Sequence, residues 1–120
     1  MIEVNKVRLP FNLNAVSQAV AIDTLKDKRR LRAHIKSIVS ERDNLFKEMK
    51  KIGTIYPYPS EANFILFRVQ EPDRIYKGLM KRGVLIRNIN NVIRGCLRVT
   101  VGTPYENRTF INSLKEVLKA

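Results

Sequence analysis

A small α/β sandwich, with a short mixed or antiparallel sheet and helices packed mainly on one face, is the fold that this chain of 120 residues predicts. Three observations carry it. Apolar periodicity runs in the order helix, helix, strand, helix, strand, strand, helix. Residues 96–101 alternate cleanly between apolar and other side chains, the pattern of a strand covered on one face. Thr103-Pro104-Tyr105-Glu106 is a capping box with proline at the first helical position, one of the more specific local signals in the chain.

From the N-terminus, Asn12 or Asn14 can cap a helix beginning near Ala15. Its run Ala15, Val16, Ala19, Val20, Ala21, Ile22 and Leu25 is apolar on nearly every side, so this helix is expected to be covered all round. Asp27 can cap a longer helix in which Leu31, Ile38, Leu45 and Ile52 recur at sevens, with Ile35, Val39, Phe46 and Met49 widening the stripe. Gly53 is expected to end it as a C-terminal cap. The prolines at 57 and 59 argue that residues 56–59 are not a central strand. Residues 62–69 read as a strand largely buried on both faces. Pro72 sits in a first helical turn, Ile75, Tyr76, Leu79 and Met80 form one apolar face, and Gly83 stops that helix before a strand over 84–87. Asn88, Asn90, Asn91 and Gly95 mark a turn-rich connection. The last helix is expected to bury Phe110, Ile111, Leu114, Val117 and Leu118. On the strand before it, Leu97, Val99 and Val101 point one way and Cys96, Arg98 and Thr100 the other. With the apolar set against the helices, Arg98 faces outward.

The length suits one compact unit with one core. No apolar run approaches a bilayer span, and the first residues lack the pattern of a signal peptide, so a soluble cytoplasmic protein is expected. Cys96 is the only cysteine, with no partner for a disulfide or a metal site. His34, the only histidine, lies among basic residues in a helical stretch without a nucleophile motif, and is assigned no chemistry. A formal charge of +12 raises the possibility of a basic nucleic-acid-binding module using the helix from about Asp27 to Ile52. Much of that charge flanks helix ends, however, where it reads as a solvated face. Neither the aromatic and glycine interleaving of RNA-binding folds nor a helix-turn-helix pattern accompanies it.

Several stretches in order together resemble histidinol-phosphate aminotransferases, members of the fold-type I pyridoxal-phosphate enzymes. They are Pro10-Phe11-Asn12-Leu13-Asn14 with Ser17-Gln18, Ser60-Glu61-Ala62-Asn63-Phe64-Ile65-Leu66, Gly83-Val84-Leu85-Ile86-Arg87, and Cys96-Leu97-Arg98-Val99-Thr100-Val101-Gly102-Thr103 followed by Glu106-Asn107. In the first, phenylalanine replaces the family's tyrosine. The resemblance spans essentially the whole chain and corresponds to the last third of a complete enzyme. It implies that residues 1–120 are the C-terminal small domain, with 1–14 leading in from the large domain.

The resemblance further implies a parent enzyme that transfers an amino group between histidinol phosphate and 2-oxoglutarate in histidine biosynthesis, as a cytoplasmic homodimer. Arg98 would anchor the anionic end of the substrate, Arg87 would help hold its phosphate, and Asn63 could orient the site or equally satisfy backbone groups at the strand start. Without the resemblance, Arg98 reads as an ordinary surface ion pair; Arg68 and Arg94 read as solvent-facing charges, and Cys96 as packing at the domain junction. In the family, the Schiff-base lysine and the other residues that hold pyridoxal 5'-phosphate precede the matched segment, and none of the eleven lysines here sits in a similar context. No catalytic, cofactor-binding or metal residue is therefore assigned, and the chain alone is expected to be inactive. A threonine-phosphate decarboxylase would share the phosphate pocket. The apolar first helix and the uncovered sheet face also suit self-association of the isolated piece.

Overall fold

A computed structural model of the chain describes residues 14–120. The elements among them are α1 (Ala15–Lys26), α2 (Lys28–Lys50), β1 (Ile55–Pro57), β2 (Phe64–Val69), α3 (Pro72–Lys81), β3 (Arg87–Asn88), β4 (Cys96–Thr100) and α4 (Pro104–Lys119). They fall into two compact units, one ending at His34 and the other comprising Ile35–Ala120. The expected lead-in before Asn14, the Asn12 cap and the segment 10–13 lie outside the described residues.

In the first unit, Asn14 caps α1 by accepting from the Ser17 N–H at 2.7 Å. Asp27 closes α1 and opens α2, its carboxylate accepting from the Arg30 N–H at 3.0 Å. No residue of α1 is buried, and Val16 and Leu25 are 73% and 60% exposed. The all-round apolar run is therefore left bare, without the cover expected for it. His34 is exposed.

The core lies in the second unit. Its four strands pair antiparallel in the order β1-β2-β4-β3. Ile65, Phe67 and Val69 of β2 and Leu97 and Val99 of β4 line one face, extended by Val101 just past β4, and all are buried. Leu45 and Met49 of α2, Ile75 and Leu79 of α3, and Phe110, Ile111, Leu114 and Val117 of α4 cover that face. Removing each such side chain from water contributes about 1.5–3 kcal/mol. The rings of Phe67 and Phe110 meet edge to face, centroids 6.1 Å apart, tying β2 to α4. The expected sandwich with helices on one face is what the residues build.

Local signals explain most boundaries. β1, which contains Pro57, is an edge strand, the place where a missing N–H does least harm. α4 opens with the complete capping box, Thr103 Oγ1 accepting from the Glu106 N–H and the Glu106 carboxylate accepting from the Thr103 N–H. Gly83, at φ +78°, ends α3 with two bonds, Gly83 N–H to Met80 O and Val84 N–H to Leu79 O.

That cap changes one expectation. Val84 gives its N–H to the helix end, Leu85 is 77% exposed, and the strand expected over 84–87 shrinks to Arg87–Asn88. β2 is not buried on both faces either: Phe64 and Leu66 are half-buried and Arg68 is exposed, because the helical residues that form the core pack on the other side. Gly53 is not a left-handed cap; α2 ends at Lys50, and Ile52 turns back to bond Met49 O at 3.0 Å. Burial along α2 is confined to its second half, with Ile35 and Val39 still 51% and 38% exposed.

Candidate anion-binding site

The face of the sheet turned away from the helices carries the arginines. Alternation along β4 puts Leu97 and Val99 against the helices and therefore Arg98 on the open side. Arg87 of β3 stands directly opposite Arg98 in the register, and Leu66 of β2 stands opposite it on the other flank. Residues directly opposite in an antiparallel pair share a face, with Cβ atoms about 4.5–5.5 Å apart. Two arginines that are eleven residues apart in the chain thus become cross-strand neighbours.

Nothing among the described residues neutralises them. Neither the Arg87 nor the Arg98 side chain donates a hydrogen bond or joins an ion pair there, and Arg98 Nε is buried without an acceptor. Arg98 is instead held by an aromatic platform, its Cζ lying 4.5 Å from the centroid of the Phe64 ring. Phe64 is the diagonal cross-strand neighbour of Arg98, and such stacking contributes about 0.5–2 kcal/mol while leaving the planar donors free for a ligand. The chemistry on offer is recognition of a doubly charged oxyanion by paired forks of N–H donors.

Asn63 is not drawn into this row. It precedes β2, its carbonyl accepts from the Val101 N–H at 2.8 Å, and it stands three residues from the level of Arg98, about 10 Å along the strand. Its amide is exposed and makes no hydrogen bond to the described residues, so it does not satisfy the backbone at the strand start.

Two features escape a reading of the sequence. Phe64 is legible as a strand residue, but its service as a platform depends on which strand lies beside β2. Arg68 is exposed as expected yet not idle: its Nε donates to the Tyr58 hydroxyl at 3.1 Å and an Nη to the Arg94 carbonyl at 2.8 Å. The Tyr58 hydroxyl, accepting this bond, holds the guanidinium above its ordinary pKa. Cys96, opposite Arg68, is fully buried and free, a packing residue. No group of His, Cys, Asp or Glu among the described residues could hold a metal ion, and no helix there is long and apolar enough to cross a membrane.

The sequence profile of the family described as aminotransferase class I and II matches residues 3–114. This chain belongs to that family. As an aminotransferase chain, it is 44% identical over 122 residues to the histidinol-phosphate aminotransferase of Aquifex aeolicus, a match that covers 98% of this chain and 34% of that protein. The crystal structure of the histidinol-phosphate aminotransferase from Clostridium acetobutylicum superposes with a TM-score of 0.80 at 27% identity, covering 98% of this chain and 37% of the other. A histidinol-phosphate aminotransferase from Sinorhizobium meliloti, solved in complex with pyridoxal-5'-phosphate, shares the fold with a TM-score of 0.78. The chain spans about a third of the length of the relatives it matches. Its α/β architecture is that of an aminotransferase small domain.

Proposed function

We propose that this chain is the C-terminal substrate-binding domain of a pyridoxal-phosphate-dependent histidinol-phosphate aminotransferase, with the residues before Ala15 leading in from a large domain. The observation that carries the reading is the cross-strand pair Arg87 and Arg98, facing the open side with no acceptor among the described residues. Like charges directly opposite on a sheet repel, and a buried guanidinium N–H without a partner costs about 1–3 kcal/mol. A bound oxyanion removes both penalties. The phosphate of histidinol phosphate is close to a dianion at neutral pH, and each charged hydrogen bond to it contributes about 1.5–3 kcal/mol. Arg98 takes the anionic end of the amino substrate and Arg87 supplies the second fork. In the half-reaction with glutamate and 2-oxoglutarate, a carboxylate occupies the same place. Asn63, which precedes β2, would act on the substrate only at the margin of the site, about 10 Å along the strand from Arg98.

The residues described here do not fit the cofactor itself. All ten described lysines are exposed and lie on helices or just past one, none on the sheet beside the arginine pair. Pyridoxal phosphate, when bound, supplies an electron sink for the amino carbon. Its Schiff-base lysine and phosphate grip belong to the large domain, so the isolated chain neither binds it well nor transaminates. The parent acts in the cytoplasm as a homodimer, and the bare α1 and the open sheet face give the isolated piece a tendency to self-associate.

In the full-length enzyme, Arg98→Ala is expected to lower kcat/KM for histidinol phosphate on the order of 10- to 100-fold, mainly through KM. Unchanged kinetics with that substrate would remove the assignment. Release of carbon dioxide from a phosphorylated amino acid would move the parent to the related threonine-phosphate decarboxylases.

A further inference from the structure

β3 is only two residues long, too short to be held by its own ladder, yet it carries Arg87. What fixes it lies behind the sheet. Asn88 stands opposite Leu97, on the helix-covered side, and its amide donates to Asp73 Oδ1 at 2.8 Å. The Asn90 amide reaches the other carboxylate oxygen of Asp73 at 3.4 Å. Asn90 in turn ties the connection together: its N–H bonds Asn88 Oδ1 at 3.0 Å, and its own Oδ1 accepts from the Gly95 N–H at 2.7 Å. Gly95, at φ +80°, then leads directly into β4 and Arg98. Asp73 itself is anchored in the first turn of α3, where the helix dipole favours its charge.

We propose that Asp73 is the positioning residue for the anion site, setting β3 and the Arg87 guanidinium through the Asn88 and Asn90 amides. This rests on the reading of Arg87 and Arg98 as an anion clamp. The placement has a physical logic. A carboxylate on the open face would pair with Arg87 and occupy the donors meant for the ligand. From behind the sheet, through neutral amides, the same carboxylate fixes the strand and leaves the guanidinium charge uncancelled on the ligand side. Alternation makes this separation possible, because Asn88 and Arg87 are consecutive and so point to opposite faces.

The test uses the full 120-residue chain, labelled with nitrogen-15 and titrated with inorganic phosphate at constant ionic strength, following the Nε–H signals of Arg87 and Arg98. In the parent chain both signals move with a common midpoint. Asp73→Ala is expected to weaken the midpoint read at Arg87 by about threefold to tenfold and to speed exchange of the Gly95 amide. Asp73→Asn, which keeps an acceptor for the shorter bond, restores most of the response. Asn88→Ala reproduces the loss by a second route if the Asp73 variant folds poorly. A midpoint at Arg87 that is the same in parent and Asp73→Ala, with only a lowered melting temperature, would show that Asp73 is a helix-end charge and no more. Silence of both arginines in the parent chain would overturn the clamp itself, and this inference with it.

Discussion

Replacing Arg87 with glutamine is expected to make the chain more stable. Arg87 is exposed and Arg98 half-buried, directly opposite on one face, so the substitution removes a repulsion while disturbing little packing. For two unit charges about 6 Å apart, Coulomb's law gives roughly 0.7 kcal/mol at the dielectric of water and about 2.8 kcal/mol at an effective value near 20. Solvent reaches Arg87, so the lower end applies, and the expected gain is about 0.5–1 kcal/mol. Urea unfolding followed by circular dichroism would read this as a midpoint raised by roughly half a molar at unchanged slope. Salt supplies the control: the screening length falls from about 30 Å at 10 mM to about 3 Å at 1 M, so the gain disappears at high salt. Phosphate should invert the ranking, since ligand at five times its Kd stabilises the parent by about 1 kcal/mol and the variant by less. A variant less stable than the unsubstituted chain at about 10 mM salt would rule out this repulsion, because it would mean that Arg87 makes a favourable contact the open face does not show.

Three further outcomes follow from the packing and the charges. Asn107 is only 7% exposed, accepts from the Gly102 N–H at 2.9 Å, and donates to the Gly102 carbonyl at 3.1 Å and to Glu41 at 3.0 Å. Asn107→Ala should therefore cost about 2–3 kcal/mol in chemical denaturation, against less than about 1 kcal/mol for Glu41→Ala, whose loss leaves no buried backbone group bare. A Cβ added at Gly78 would lie 2.6 Å from Val117 Cγ1, a stiff branched side chain in the core. Gly78→Ala should thus destabilise by about 1–2 kcal/mol despite the better helix propensity, and Val117→Ala in the same chain should relieve it, as a double-mutant cycle would measure. The Glu48 carboxyl, bonded to the Lys51 ammonium, is held below the ordinary carboxylate range. Its contribution to stability is present above the ordinary value and is lost as pH falls through the lowered one. A carbon-13 titration should show the value rising towards ordinary in Lys51→Ala.

Much of the fold is legible along the chain. The Asn14 and Asp27 caps, the Thr103–Glu106 box and the Gly83 stop are each decided by groups within four or five positions of one another. Alternation over residues 96–101 likewise suffices to turn Arg98 outward. Local patterns give way where they meet a competing demand. Val84 to Ile86 look like a strand, but the Gly83 cap takes the Val84 N–H first. Residues 62–69 look apolar enough for burial on both sides, yet Phe64 stays half-open, with the Arg98 guanidinium stacked on its ring.

The succession of the four helices, the caps that bound most of them and the side of its strand on which Arg98 stands can all be read along the chain, because each depends on near neighbours, whereas the edge strand β1 and the end of α2 at Lys50 cannot. That Arg87 stands opposite Arg98, that Phe64 underlies Arg98, and that Asp73 steadies β3 from fifteen residues away emerge only once the chain is folded. Those pairings follow from strand order and register, which are fixed by how the apolar face closes over the whole core and leave no trace in any short stretch of residues.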